Sequence, residues 1–103
     1  MGEFAAAEQL YRQALEIERK VVGEEHPSYA TSLNNLAALY EWMGELARAE
    51  PLLRQALEIH RRALGEDHPL CAVSLNNLAT LLGTMGEYAK AEPLLRRALE
   101  IRK

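Results

Sequence analysis

The chain has 103 residues, of which 49% are hydrophobic and 26% are charged, and its net charge is −3. This composition argues against a disordered or fibrous chain, and a mildly acidic chain lacks the clustered cations that bind nucleic acid. Because it also has a single cysteine, an acidic start and no apolar stretch long enough to span a membrane, we expect a cytoplasmic protein with no nucleic-acid or membrane partner.

The chain repeats one unit with a period of 42 residues. The tripeptide Met-Gly-Glu begins at positions 1, 43 and 85, and the segment Leu-Asn-Asn-Leu-Ala occurs at 33–37 and again at 75–79. The first two units are identical at 26 of 42 aligned positions. A fixed period of this length is typical of solenoid proteins. We therefore predict a single domain, 1–103, with repeat units 1–42 and 43–84 and a partial unit 85–103.

Each unit is predicted to form two α-helices. One of them, called the first helix of a repeat below, follows His-Pro, where proline suits the first helical position. It ends before a glycine that can adopt a positive φ. The second has an apolar face opposite Glu–Arg and Glu–Lys pairs spaced i,i+4. In chain order we predict five antiparallel helices and no strand, with the helices at 3–22, 27–42, 45–64, 69–84 and 87–102. Pro51 and Pro93 fall inside second helices, where we expect a slight bend.

The pattern of large and small residues resembles the tetratricopeptide repeat (TPR). It is carried by Leu33, Leu36, Ala37, Tyr40, Gly44, Ala49, Leu53 and Ala56. The 42-residue period, the LNNLA segment and the G-E-x-H-P connector are similar to the kinesin-light-chain-type repeat, which is also common in bacterial arrays. The resemblance implies an all-α fold, an α–α superhelix of about two and a half repeats whose neighbouring units bury a continuous core.

The resemblance also implies a protein–protein interaction scaffold, in which first helices line a groove that holds a peptide or a partner helix. The matching groove positions are Thr31, Asn34, Asn35, Ala38, Glu41 and Trp42, followed by Val73, Asn76, Asn77, Thr80, Gly83 and Thr84. A side-chain amide can pair with a peptide backbone whatever side chains the ligand has. We therefore expect the asparagines to hold the ligand; alternatively, one of each pair bonds the neighbouring helix or its connector.

The groove positions carry little charge. Residues 27–43 contain no Lys or Arg, and residues 69–85 contain no charged residue. Because a clamp for ligand carboxylates needs such cations, we expect an uncharged or mixed ligand rather than an acidic one. Trp42 is either an aromatic anchor at the groove edge or part of an apolar cluster at the helix turn.

The histidines and the cysteine, which could in principle bind metal or react, fit structural roles. His26 and His68 recur one repeat apart, which predicts helix-start residues rather than converging metal ligands. Cys71 is expected to be buried near the start of a first helix, with an intermolecular disulfide as the alternative. The sequence contains no catalytic set, HExxH, glycine-rich phosphate loop or CxxC. We expect no enzyme activity, cofactor or metal site.

A second hypothesis is self-association. Solenoids need polar capping units and about three repeats for stability, and the sequence shows neither. The helix predicted at 3–22, which comes first in the chain, has an apolar set without a preceding helix, namely Phe4, Ala7, Tyr11, Ala14, Leu15 and Val22. The last has such a set without a following helix, namely Tyr88, Leu95, Ala98 and Leu99. Exposed stripes of this kind favour a homo-oligomer, through the end helices or a swap about 65–69, unless the chain is part of a longer array.

Overall fold

The computed structural model describes residues 2–102, which form five α-helices joined by short turns. In chain order the helices are α1 (Gly2–Val21), α2 (Pro27–Trp42), α3 (Leu46–Leu64), α4 (Pro69–Thr84) and α5 (Tyr88–Arg102). Each agrees with a predicted helix to within one residue at either end, and the described residues contain no strand. The predicted all-α architecture is confirmed.

Histidine side chains begin the first helix of each repeat. Nδ1 of His26 accepts a hydrogen bond from the backbone N–H of Ser28 at 3.0 Å, at the start of α2. Nδ1 of His68 accepts from the N–H of Leu70 at 3.1 Å, at the start of α4. Each imidazole thereby satisfies one of the N–H groups that a helix start leaves unpaired. The helix-start role predicted for both histidines is confirmed.

Glycine ends these same two helices. Gly44 has φ 78° and Gly86 has φ 83°, a left-handed conformation that residues with a Cβ rarely adopt. After α2, the N–H of Gly44 donates to the carbonyl of Glu41 at 3.0 Å, and the N–H of Glu45 donates to the carbonyl of Tyr40 at 2.8 Å. This pair of bonds is a Schellman motif, and it recurs after α4. The motif closes the helix and lets the chain reverse into the next one.

The core lies between consecutive helices. α2 packs against α1 and α3, and α4 packs against α3 and α5. A central cluster draws on four helices, and its buried members are Leu36, Ala37, Tyr40, Ala49, Leu53, Leu78, Ala79, Leu81, Leu82 and Ala91. Two smaller clusters flank it: the buried members of one lie on α2 and α3, and those of the other lie on α4 and α5. The alanines in the central cluster permit close approach of the helices, and the leucines fill the remaining space.

A polar network joins α1, α2 and α3 beside this core. The hydroxyl of Tyr40 donates to Oε2 of Glu8 at 2.8 Å and accepts from the guanidinium of Arg12. The guanidinium of Arg48 lies 4.5 Å from the centre of the Tyr40 ring and 3.5 Å from Oε2 of Glu8. The hydrogen bond from Tyr40 lowers the pKa of Glu8, and burial raises the pKa of Tyr40. Leu82 occupies the position that matches Tyr40 and has no hydroxyl, so the second repeat cannot form this network.

Most of the residues predicted to form exposed stripes on the end helices are exposed, but two of them pack into the core instead. Ala98 is 1% exposed and Leu15 packs against two core clusters, because α5 lies on α4 and α1 lies on α2; placing these two residues in exposed stripes is wrong. Among the large hydrophobic side chains of α1, the largest exposed fractions belong to Leu10, Ile17 and Val21. The other predicted stripe residues are exposed except for the half-buried Ala7; they are Phe4, Tyr11, Ala14, Val22, Tyr88, Leu95 and Leu99.

Candidate functional site

Helices α2 and α4 each bury one face and leave the opposite face open. On α2 the uncovered positions are Thr31, Asn34, Asn35, Ala38, Glu41 and Trp42, all exposed or half-buried. On α4 they are Val73, Asn76, Asn77, Thr80, Gly83 and Thr84, also exposed or half-buried. Steps of three and four residues place each set on one stripe of its helix. These twelve residues are called the open face below.

The asparagines of the open face have unengaged side-chain amides. Asn35 is exposed, whereas Asn34, Asn76 and Asn77 are half-buried. Within residues 2–102, none of the four amides bonds a neighbouring helix or connector, and Oδ1 of Asn34 is buried without a partner. Leaving a buried acceptor unpaired costs about 1–3 kcal/mol. A ligand could pair with this acceptor only after the side chain of Asn34 rotates toward solvent.

The threonine hydroxyls of the open face are partly engaged by their own helices. Oγ1 of Thr31 donates to the carbonyl of Pro27 at 3.3 Å, and Oγ1 of Thr84 donates to the carbonyl of Thr80 at 3.0 Å. Each hydroxyl retains its acceptor lone pairs. These side chains can accept from a ligand, but the amides of the asparagines offer more hydrogen-bonding capacity.

Trp42 and Glu41 lie where the open face reaches the end of α2. Trp42 is 80% exposed, so the alternative that it belongs to an apolar cluster at the helix turn is wrong. The two side chains border a wide, shallow depression at the surface. Burial raises the pKa of Glu41, which is the one charged residue of the open face. The indole ring is available to a ligand as an aromatic contact.

The cations of the described chain lie on α1, α3 and α5 and are commonly paired with acids. Arg54, for example, contacts Glu50 at 2.9 Å. One predicted pair differs, because Glu16 bonds Arg19 rather than Lys20. Exposed pairs of this kind contribute at most about 1 kcal/mol each to folding. The open face therefore offers hydrogen bonds and shape to a ligand, and little charge.

A buried polar pair joins α3 to α4 and was not predicted. His60 is 2% exposed, and its Nδ1 lies 2.7 Å from Oγ of Ser74, which is 1% exposed. Desolvation, followed by the nearby charge of His68, lowers the pKa of His60, so the neutral imidazole is favoured. The sequence alone indicates no role for His60, because the matching residues are Glu18 and Arg102. Its place on the apolar face of α3 is the one signal of burial.

Cys71 is a buried thiol. It is 2% exposed, as predicted, and its Sγ donates to the carbonyl of Gly65 at 3.1 Å. In the part of the chain that the structure describes, no three His, Cys, Asp or Glu side chains converge as metal ligands. No helix between residues 2 and 102 combines the length and the apolar character needed to cross a membrane.

Comparison with known proteins agrees with this geometry. A family model of the tetratricopeptide repeat matches residues 1–41 and again residues 31–103, and so covers the whole chain. No curated protein matches the chain significantly. Repeats of this family mediate protein–protein interaction.

Solved structures of similar proteins superpose on nearly the whole chain. BtubC (BKLC) from P. vanneervenii superposes with a TM-score of 0.89 at 34% identity, and a kinesin-light-chain candidate of Podosopora anserina with nearly identical TPR-like repeats superposes with 0.86 at 31% identity. Both cover 98% of this chain, which spans 40% and 48% of their respective lengths. The chain therefore corresponds to less than half of each of these arrays.

Proposed function

Because the chain belongs to the tetratricopeptide-repeat family, we propose that its open face binds an uncharged or mixed peptide, or a partner helix. The observation that carries the proposal is the set of unengaged asparagine amides, Asn34, Asn35, Asn76 and Asn77. The same pair of asparagines occurs at the same place in both repeats. A ligand lying across α2 and α4 would therefore meet the same donors and acceptors twice.

For an extended peptide, whose backbone groups are not already paired, this arrangement supports recognition of the backbone. Each amide donates through its NH₂ and accepts through Oδ1, which are the two complements of a peptide group. A neutral hydrogen bond of this kind contributes about 0.5–1.5 kcal/mol net. Trp42 adds an exposed aromatic surface at one end. Affinity then depends mainly on the ligand backbone and on one apolar contact. The open face therefore selects little among ligand side chains.

The charge of the open face sets the ligand class. It carries one acid, Glu41, and no cation. Ligand carboxylates would meet no charge-assisted donor there, whereas such donors make the strong hydrogen bonds of a carboxylate clamp. An acidic peptide should therefore bind more weakly than a neutral peptide of the same length.

The test replaces one asparagine in each repeat. A library of displayed random peptides is selected on the immobilised chain, and the best binder is labelled for fluorescence anisotropy. The double variant Asn35→Ala, Asn77→Ala should weaken its affinity by about five- to tenfold, since two neutral hydrogen bonds are lost.

The chain offers a matched control for this variant. Gln13 and Gln55 are exposed amides that also lie one repeat apart, but on α1 and α3. The double variant Gln13→Ala, Gln55→Ala should bind the peptide as the parent chain does. Equal affinity of the parent and the asparagine variant would refute the assignment of the open face.

A second candidate function is self-association through the end helices. It is favoured by the exposure of Leu10 (65%) and Val21 (73%) on α1 and of Tyr88 (72%) and Leu99 (63%) on α5. The residues of α3 that match Leu10 and Leu99 pack against the core, because α3 has a helix on each side. Contact between two copies would cover the same apolar positions on the end helices.

A further inference from the structure

A cavity of about 190 Å³ opens between α3, α4 and α5. It adjoins the buried face of α4 and is separate from the open face. Its apolar wall is formed by Leu57, Cys71 and Leu75, and its polar rim is formed by Glu58, Arg61, Glu66 and Arg97. A site of this size and mixed lining can hold one small ring, since roughly 150 Å³ is enough for benzene in an apolar protein cavity.

The preceding repeat shows what fills the matching position. Tyr29 corresponds to Cys71, and its ring is 7% exposed in a cluster with Leu15, Ala30, Leu33, Leu52, Ala56 and Ile59. In the second repeat the six residues that match those neighbours form the equivalent cluster, namely Leu57, Ala72, Leu75, Leu94, Ala98 and Ile101. The seventh position holds Cys71, which has no ring and lines the cavity instead. The cavity therefore corresponds to the place of a missing phenol ring.

The polar surroundings of that ring are also present in the second repeat. Burial, and after it the charge of Glu24, raises the pKa of Tyr29, whereas the charge of Arg19 lowers it, so both charges act on the phenol. One repeat later the matching residues are Glu66 and Arg61, and both line the cavity. A phenol in the cavity would be subject to an acid and a guanidinium that match the two charges acting on Tyr29.

The thiol in the wall is suited to non-covalent contact. Burial raises the pKa of Cys71, so the group remains a thiol at neutral pH. Its proton is directed to the carbonyl of Gly65. The side chain then acts as a small apolar surface for a ring rather than as a nucleophile.

We propose that this cavity binds a small molecule with a single phenol ring. The ring would pack against Leu57, Cys71 and Leu75. Its hydroxyl would lie between Arg61 and Glu66. The proposal is independent of ligand binding at the open face, because the two surfaces share no residue.

The probe is p-cresol, which is the side chain of tyrosine as a free molecule. Titration of the ¹⁵N-labelled chain should give saturable chemical-shift changes centred on the amides of Cys71 and Leu75. Saturating p-cresol should also raise Tm by roughly 5 °C or more. The variant Cys71→Tyr should fill the cavity, melt at a higher temperature without ligand and lose both responses.

A second variant and a second ligand test the proposal even if Cys71→Tyr does not fold. Tyr29→Cys should create a second site, so its p-cresol stoichiometry should rise from one to two. Toluene should bind the same site with an affinity within about threefold of that of p-cresol, because the hydroxyl of Tyr29, whose ring the probe imitates, makes no side-chain hydrogen bond among the described residues. Non-saturable shifts, an unchanged response in Cys71→Tyr, or the absence of toluene binding would overturn the proposal.

Discussion

At the scale of single residues, His60 links the stability of the fold to pH. Burial lowers its pKa, so between that value and the ordinary value of about 6.5 the folded chain holds fewer protons on this side chain than the unfolded chain does. Its contribution to stability is therefore fully present above about pH 6.5 and is lost as the pH falls toward the folded pKa. Protonation of this one imidazole at low pH therefore destabilises the contact between α3 and α4.

We predict that the urea midpoint of the parent chain falls between pH 7.5 and pH 5, and that His60→Leu removes most of that fall. Leucine suits the buried position and eliminates Nε2, which has no hydrogen-bond partner among residues 2–102. An identical pH dependence in parent and variant would contradict this account of His60.

At the scale of helices, the hydroxyl of Tyr40 joins α2 to α1, while its ring contacts Arg48 on α3. We predict that Tyr40→Phe lowers the free energy of unfolding by about 1–2 kcal/mol, because it removes hydrogen bonds to two charged partners and keeps the ring. Urea denaturation at neutral pH measures the change.

The matched control for this substitution is Tyr29→Phe. Tyr29 is a buried tyrosine in the same helix, but among the described residues its hydroxyl makes no side-chain hydrogen bond. Its substitution should change stability by no more than about 0.5 kcal/mol. Equal losses in the two variants would show that the polar network contributes nothing specific.

The helices could be predicted closely because their ends are encoded locally. His26 supplies an acceptor for the start of α2, and Gly44 supplies the positive φ that ends it. The contacts between helices could not be predicted in this way. The bond from Tyr40 to Glu8 spans 32 positions, and the burial of Ala98 depends on how α5 lies on α4. Such facts follow from packing geometry, which a single helical period does not contain.

The candidate site was predictable to the same extent. The period of α2 and α4 indicates which residues share a stripe, and those residues are uncovered as expected. The sequence alone could not decide whether Trp42 is exposed, because the side chain of a residue at the end of a helix can fold back on the turn or point away from it. The cavity at Cys71 required the comparison of two packed repeats, since its evidence is the ring of Tyr29.

At the scale of the whole molecule, the exposed apolar residues of α1 and α5 bear on whether the chain is a monomer. If self-association through α1 and α5 is its main interaction, light scattering on a sizing column should give a mass above 11.6 kDa that rises with concentration. Melting should also depend on concentration, since association stabilises the folded state by mass action. A mass of 11.6 kDa throughout a hundredfold range of concentration would reject this second candidate.

We propose that the open face of α2 and α4 is the surface that binds the ligand. The most direct measurement is a chemical-shift map of the ¹⁵N-labelled chain with the selected peptide, read at the backbone and at the side-chain amides. We predict the largest changes at the four asparagine side chains, Asn34, Asn35, Asn76 and Asn77, and at the indole N–H of Trp42. Changes confined to the exposed residues of α1 and α5, with the asparagine signals unmoved, would contradict the claim.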